Sequence, residues 1–407
     1  MTKPPSDPAL TAALPEGRTH FRLGVNYWPT GRALTWWDAF DGDETARDLD
    51  RIADARLDSV RLFLTWESFQ PEPDRIGEAA VAHLRTVADL ADERDLAVIP
   101  TLFTGHVNGV CAMPPWVLGG SEGDGAGPRI LSGGVEATRG IRNWYEDARV
   151  RDAQAHLART LSKALADHDA LWAWDLGHET SSCCLPPDAA SADRWLDVMS
   201  DAIRAEDEEA RLTMGLQVQD LEEDRGLGPH QVARVGQLLG MHAQPMEPSA
   251  CCRSVGEEWL LPFLADITRW LGGDKPMLCV GLNVPGSAGV ELETRGCREL
   301  ERLAAERLEG LIETVRGAGC IGAVIWSAHD PGPEFSPEIR ARTRPLWNAD
   351  GSQTAAVAVI ASHAEQPCVT TRVASRGDWL DISRDDYYRT PKAHLKRLYP
   401  RWRAVHA

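Results

Sequence analysis

The sequence places a histidine beside a glutamate, His178-Glu179, directly after a short apolar segment. A carboxyl group beside an imidazole can exchange protons with a bound substrate, because its pKa responds to burial and to neighbouring charge. His106 and His242 also follow apolar segments, and Arg61 lies within one. We therefore take Glu179 and His178 as candidate catalytic residues. The candidate ligand-binding residues are Arg61, Trp66, His106, His242, Gln244 and Trp326.

Cysteines form a second set of candidate ligands. The chain has nine cysteines, and five of them follow the same apolar segments: Cys111, Cys183, Cys184, Cys251 and Cys252. Thiolate and imidazole groups suit zinc or another borderline-soft metal. None of the spacings is a Cys-x-x-Cys signature, so we expect free thiols and no resident metal or cofactor. A metal held by cysteines and histidines is the alternative.

These residues lie in a repeated pattern of short apolar strands followed by amphipathic helices. That pattern predicts a parallel sheet with crossover helices, and eight repeats predict a single α/β domain with the (β/α)₈ barrel fold over 21–407. A C-terminal helix closes it, and 1–20 is predicted to be disordered. Long loops are expected at 119–143 and 330–344, on the face where such barrels hold their chemistry. The predicted strands are Phe21–Tyr27, Ser59–Leu64, Ala97–Leu102, Leu171–Leu176, Leu212–Leu216, Leu238–His242, Pro276–Val280 and Gly322–Trp326.

Charge and hydropathy exclude several classes of partner. The formal net charge is −18 with no basic run, which argues against a nucleic-acid partner. No stretch approaches the roughly 18 apolar residues of a membrane helix, so no membrane partner is expected. The first twenty residues lack the apolar centre of a signal peptide, which predicts a cytoplasmic location.

Seven segments together resemble glycoside hydrolase family 5 and its clan A relatives, in particular cellulase-like proteins. The first four of them carry most of the specificity. The segments are LGVNYWP at 23–29, VRLFLTWESFQP at 60–71, IPTLFTGHVNGV at 99–110, AWDLGHE at 173–179, MHAQP at 241–245, KPMLCVGLNVP at 275–285 and NADGS at 348–352.

The resemblance implies a retaining glycosidase plan with one carboxylate missing. Glu179 matches the family's acid/base after strand four, although His178 replaces the usual Asn. Gly281 stands where the nucleophile Glu of strand seven is expected, and Gln244 replaces the Tyr that supports it. Arg61 matches the Arg that steadies the nucleophile. A retaining enzyme needs two carboxyl groups roughly 5–5.5 Å apart, and glycine cannot attack an anomeric carbon.

The sequence therefore predicts a repurposed enzyme that acts on a glycoside or on a cyclic hydroxylated metabolite of a biosynthetic pathway, with Glu179 as general acid/base. Glu247 is a candidate second catalytic carboxylate that activates water at roughly 6.5–9.5 Å from the first, and a solvated loop glutamate is the alternative. If His178 is protonated, it should hold Glu179 ionised.

The expected partner is a small molecule or saccharide. Two other hypotheses are a pseudoglycosidase that binds saccharide without turnover and a metal-dependent enzyme using the cysteines and histidines.

Overall fold

The computed structural model describes residues 13–14, 19–122, 128–243, 259–284, 297–340, 344–369 and 376–406. Four residues named above lie outside this part of the chain: Gln244, Glu247, Cys251 and Cys252.

Eight parallel strands close into a barrel in the order in which they occur along the chain, which confirms the predicted fold class. Every strand is short and almost wholly buried, as expected when helices cover the sheet. The fourth barrel strand begins later than predicted, because Leu171 makes only an isolated bridge to Val98. The barrel strands are Arg22–Tyr27 (β1), Ser59–Phe63 (β2), Ala97–Thr101 (β3), Trp174–His178 (β10), Leu212–Leu216 (β11), Leu239–Ala243 (β12), Met277–Asn283 (β13) and Gly322–Trp326 (β14).

Amphipathic helices surround the barrel, with their apolar faces towards the strands. Several begin at side-chain caps: the Asp41 carboxylate accepts from the Glu44 backbone N–H, and Asp188 does the same for Ser191. The helices are Gly42–Asp54 (α1), Trp66–Phe69 (α2), Glu78–Asp92 (α3), Ala148–Leu165 (α4), Ala189–Arg204 (α5), Gln219–Glu222 (α6), Pro229–Val235 (α7), Leu260–Leu271 (α8), Cys297–Gly317 (α9), Pro337–Arg340 (α10), Ala355–His363 (α11), Arg384–Arg389 (α12) and Pro391–His406 (α13).

The long excursion between β3 and β10 contains short strands of its own. In the hairpin of β4 and β5, His106 pairs directly with Cys111. A tight turn at Gly133 and Gly134, which have φ values of 59° and 76°, joins β7 to β8. These strands are His106–Val107 (β4), Val110–Ala112 (β5), Leu118–Glu122 (β6), Arg129–Ser132 (β7), Val135–Glu136 (β8) and Arg139–Ile141 (β9).

The opposite end of the barrel is covered by residues near the N-terminus. Ala13 and Leu14 are buried, and the indole Nε1 of Trp172 donates to the Ala13 carbonyl at 2.9 Å. The disorder predicted for 1–20 stays a prediction, since most of that segment lies outside the described residues. Among the helices that the structure describes, none combines the length and the apolar character needed to cross a bilayer.

Candidate active site

A polar cavity of about 170 Å³ opens where the loops after four neighbouring barrel strands meet. His106, Glu179 and His242 are predicted site residues that line it. Gln217 and Gln219 were not among the sequence candidates, although both follow the end of β11, which is the signal that could have identified them. The full lining is His106, Glu179, Ser182, Gln217, Val218, Gln219 and His242.

Glu179 lies at the end of β10 in a left-handed backbone conformation, with φ of 48°, which few non-glycine residues adopt. Its Oε2 atom is 2.6 Å from Nδ1 of His106. The His106 Nε2 atom accepts the Gly109 backbone N–H at 2.8 Å, so the ring proton is on Nδ1 and is donated to Glu179.

Two opposing effects set the protonation state of Glu179. Burial acts to raise its pKa, whereas the hydrogen bond from His106 and the fields of His242 and Arg61 lower it. The lowering effects prevail, and the pKa lies below the usual range for a glutamate. Glu179 is therefore a carboxylate at neutral pH.

His242 occupies the floor of the cavity between two glycines. Its Nδ1 atom is 3.6 Å from Oε1 of Glu179. A Cβ on Gly281 would lie 2.9 Å from His242 Nδ1, and one on Gly215 would lie 2.8 Å from Nε2. Both glycines are therefore needed to leave space for the imidazole ring. Burial lowers the pKa of His242 to about 4, although the Glu179 charge opposes this, so the ring is neutral at pH 7.

Beneath the cavity, Arg61 and Asp175 form a fully buried ion pair. Arg61 Nε donates to Asp175 Oδ2 at 2.9 Å, and Arg61 Nη1 donates to Asn26 Oδ1 at 3.1 Å. Asp175 also accepts from the Thr101 hydroxyl at 2.8 Å and from the Gly215 backbone N–H at 3.2 Å. These bonds satisfy both charges, which a buried pair requires. The pair ties β1, β2, β3, β10 and β11 together below the site.

His178 faces this ion pair and does not line the cavity. Its Nδ1 atom lies 3.2 Å from both Nη1 and Nη2 of Arg61. A guanidinium only donates hydrogen bonds, so Nδ1 is the acceptor and the ring is neutral. Burial, His242 and Arg61 all keep the pKa of His178 well below its usual range. His178 is therefore not protonated, and the condition under which it would hold Glu179 ionised is not met; the hydrogen bond to the Glu179 carboxylate comes from His106.

The two tryptophans predicted to bind ligand are packed against other rings. Trp326 stacks on His178 with a centroid separation of 5.4 Å and an interplanar angle of 11°. Trp66 is 1% exposed, lies against Phe103 and Trp116, and donates from Nε1 to Gln70 at 2.9 Å. Core packing accounts for both positions. Their ligand-binding role stays a prediction.

A metal ion fits the described residues poorly. His178, Glu179 and His242 offer ligand atoms within 4.8 Å of one another. However, Nδ1 of His178 accepts from Arg61, so the remaining nitrogen carries the proton and has no lone pair for a metal. The guanidinium charge beside it also repels a cation. Of the cysteines, Cys111 and Cys183 come together with a sulfur–sulfur distance of 3.4 Å, and neither belongs to this trio.

Comparisons with known proteins find likeness at the level of structure. No family model matches the sequence, and no curated protein matches it. A GH5_18 protein from Streptomyces cattleya, solved in complex with Manβ1-4GlcNAc, is similar with a TM-score of 0.70 at 23% identity, over 86% of this chain and 83% of that chain. A GH5_18 protein from Bifidobacterium longum subsp. infantis gives a TM-score of 0.74 at 19% identity, over 96% and 90% of the two chains.

A third similar structure is the exo-beta-1,4-mannosidase Op5Man5 from Opitutaceae bacterium strain TAV5. Its TM-score is 0.67 at 23% identity, over 87% of this chain and 61% of that chain. Identities this low carry the fold and leave the activity open. The chain thus has the closed (β/α)₈ barrel fold of the GH5_18 structures.

Proposed function

We propose that this protein is a glycoside-hydrolase-like barrel that has lost the retaining nucleophile and acts on a glycoside or a cyclic hydroxylated metabolite, with Glu179 as its general acid/base. The observation that carries the proposal is the contact between His242 and Gly281. A Cβ at position 281 would lie 2.9 Å from His242 Nδ1, so the ring fills the space that a nucleophilic side chain would need.

The charge state of Glu179 supports a role as a base. In a retaining glycosidase the corresponding carboxyl must first be protonated, because it donates a proton to the leaving group. The pKa of Glu179 is lowered, so at neutral pH it is ready to accept a proton instead. His106 donates to Oε2, and this bond fixes the orientation of the carboxylate that would take a proton from a bound hydroxyl or from water.

The cavity lining supports a hydroxylated ligand. Side-chain amides of Gln217 and Gln219 and the Ser182 hydroxyl line the cavity and include both donors and acceptors, which is the pairing that sugar hydroxyls need, and Gln217 and Ser182 are hydrogen-bonded to each other. Among the similar structures, GH5_18 proteins are solved in complex with Manβ1-4GlcNAc and with GlcNAc. By analogy, we propose a saccharide or a similar polyhydroxylated ring as the ligand class. The role of Glu247 as a second carboxylate stays a proposal of the same kind.

The test combines binding with turnover. Manβ1-4GlcNAc, N-acetylglucosamine and other mono- and disaccharides would be titrated calorimetrically into the wild type and into Glu179→Gln. Product formation would be followed by mass spectrometry. Glu309→Gln, at an exposed position of α9, removes the same charge and serves as the matched control.

We expect wild type and Glu309→Gln to bind and convert at least one ligand, and Glu179→Gln to bind it with turnover reduced by about 10²-fold or more. Binding without conversion by all three proteins would favour a saccharide-binding protein without catalysis. Unchanged turnover in Glu179→Gln would remove Glu179 from the mechanism, and failure of all saccharides to bind would overturn the ligand class.

A further inference from the structure

Two thiols meet beside the candidate active site. The sulfurs of Cys111 and Cys183 lie 3.4 Å apart, and both residues are free cysteines. A disulfide bond is about 2.05 Å long, so the sulfurs need to approach by about 1.4 Å, the difference between these values. Rotation of the side chains can supply much of that approach.

Cys111 lies in the same hairpin as His106, and Cys183 lies in the same loop as Glu179. On the β4–β5 hairpin, Cys111 pairs with His106 across the two strands. Cys183 ends the short helical turn that begins at Glu179, and its backbone N–H donates to the Thr180 carbonyl at 2.9 Å. A bond between the sulfurs would therefore fix the hairpin against the Glu179 loop.

We propose that Cys111 and Cys183 are a redox-modification site, at which a small hydroperoxide closes a reversible disulfide between the β4–β5 hairpin and the Glu179 loop. This proposal stands on the sulfur contact and does not depend on the proposed function.

The two thiols differ in access, which gives the order of the steps. Cys183 is half-buried whereas Cys111 is fully buried, so the oxidant reaches Cys183 first. The Cys183 sulfur attacks one peroxide oxygen, the O–O bond breaks and the S–H proton passes to the leaving oxygen, so the products are a sulfenic acid and an alcohol, or water from hydrogen peroxide. The Cys111 sulfur then attacks the sulfenic acid, the S–O bond breaks and a water molecule leaves. In sum, two thiols lose two electrons and two protons to one peroxide.

Cys184 provides the internal control. It is adjacent to Cys183 in sequence, yet its side chain lies against the Trp144 backbone, and none of the described sulfurs contacts it as Cys111 contacts Cys183. Tryptic cleavage after Lys163 and Arg194 leaves Cys183 and Cys184 in one peptide, whereas the peptide ending at Arg129 holds Cys111 alone. The Cys184→Ser variant therefore makes the assignment of the bond unambiguous.

The experiment treats reduced full-length protein with hydrogen peroxide, blocks remaining thiols with N-ethylmaleimide and maps the tryptic peptides by mass spectrometry. We expect a linked pair containing Cys111 and Cys183, lighter than the two free peptides by two hydrogen atoms and released by dithiothreitol. The same pair should form in Cys184→Ser. The Tm of these two proteins should rise on oxidation, because the bond constrains the unfolded chain, and the Tm of Cys183→Ser should not.

The proposal is overturned if N-ethylmaleimide still labels both Cys111 and Cys183 after peroxide treatment. It is also overturned if Cys183 is linked to Cys184 or converted to the sulfinic acid instead. Because mapping uses the wild type, the result does not depend on whether a Cys111 variant folds. Neither the peptide map nor the Tm depends on saccharide binding. The test therefore remains valid even if the proposed function is wrong.

Discussion

The imidazole of His242 stands in the space that a side chain at position 281 would enter. His242 on β12 pairs in register with Gly281 on β13, and a Cβ on Gly281 would lie 2.9 Å from Nδ1 of the ring. The same ring reaches to 3.6 Å from Glu179. His242 contacts the Glu179 carboxylate, and Gly281 leaves space for the His242 ring, so His242 and Gly281 form one structural unit.

This unit predicts that Gly281→Glu alone will not restore glycosidase activity. The new side chain must displace His242, which lies at van der Waals distance from Glu179, and the carboxylate would not be held in a productive position. The assay is hydrolysis of an activated aryl glycoside, with Gly281→Ala as the steric control. Gly281→Ala should cost about 1–3 kcal/mol in the free energy of unfolding, since its Cβ already crowds the ring. Strong hydrolysis by the single Gly281→Glu variant would show a glycosidase that lacks only its nucleophile, and would contradict this prediction.

The wild-type protein should hydrolyse aryl β-glucosides and β-mannosides negligibly. Among the described residues of the cavity, Glu179 is the carboxylate available, and no glycosyl-enzyme can form on it while it serves as the acid/base. The measurement is release of the chromophore over hours, compared with a retaining β-mannosidase. Robust turnover with retained configuration, established by NMR, is the contrary result.

Replacing Arg61 with methionine should destabilise the protein by about 3–5 kcal/mol, because Asp175 would be left as a buried charge without its partner. Arg61→Lys keeps the charge but loses the hydrogen bonds to Asn26 and His178. It should therefore lower the free energy of unfolding by less than Arg61→Met does. Urea denaturation of both variants and the wild type measures the difference. Equal stability of Arg61→Met and the wild type would show that the ion pair contributes little to the fold.

Asp220 should make stability depend on pH. Burial raises its pKa to about 6, against the hydrogen bonds from Ser181 and the Gln217 backbone. Since the folded-state pKa lies above the unfolded value of about 3.9, the folded protein holds this proton more tightly, and ionisation penalises folding as the pH rises. Relative to Asp220→Asn, the free energy of unfolding of the wild type should fall by up to about 3 kcal/mol between about pH 4 and pH 6.

Urea denaturation of the wild type and Asp220→Asn at several pH values measures this difference. Other groups, including His242, titrate in both proteins, so their contributions cancel. The difference should be flat below about pH 3.5 and above about pH 6.5. A difference that is constant across the whole range would mean that Asp220 is solvated.

The sequence by itself determined the barrel and the positions that face its mouth. Short apolar runs alternating with amphipathic segments are local patterns, and eight of them specify a closed parallel barrel with little room for another arrangement. That closure places Glu179 at the end of β10 and Gly281 near the end of β13, as the segments predicted. Asp175 is structural: Arg61, Thr101 and Gly215 on other barrel strands and Gly177 on its own strand donate to its carboxylate.

Only the tertiary structure decided which side chains meet. His106 lies 73 positions from Glu179 in sequence and donates to it, whereas adjacent His178 points towards Arg61. Spacing cannot reveal this, because successive residues at a strand end project in opposite directions, and which loop folds over the site depends on the β4–β5 hairpin. The burial of Trp66, the space shared by His242 and Gly281, and the contact of Cys111 with Cys183 have the same origin. Each arises between segments that come together only when the barrel closes.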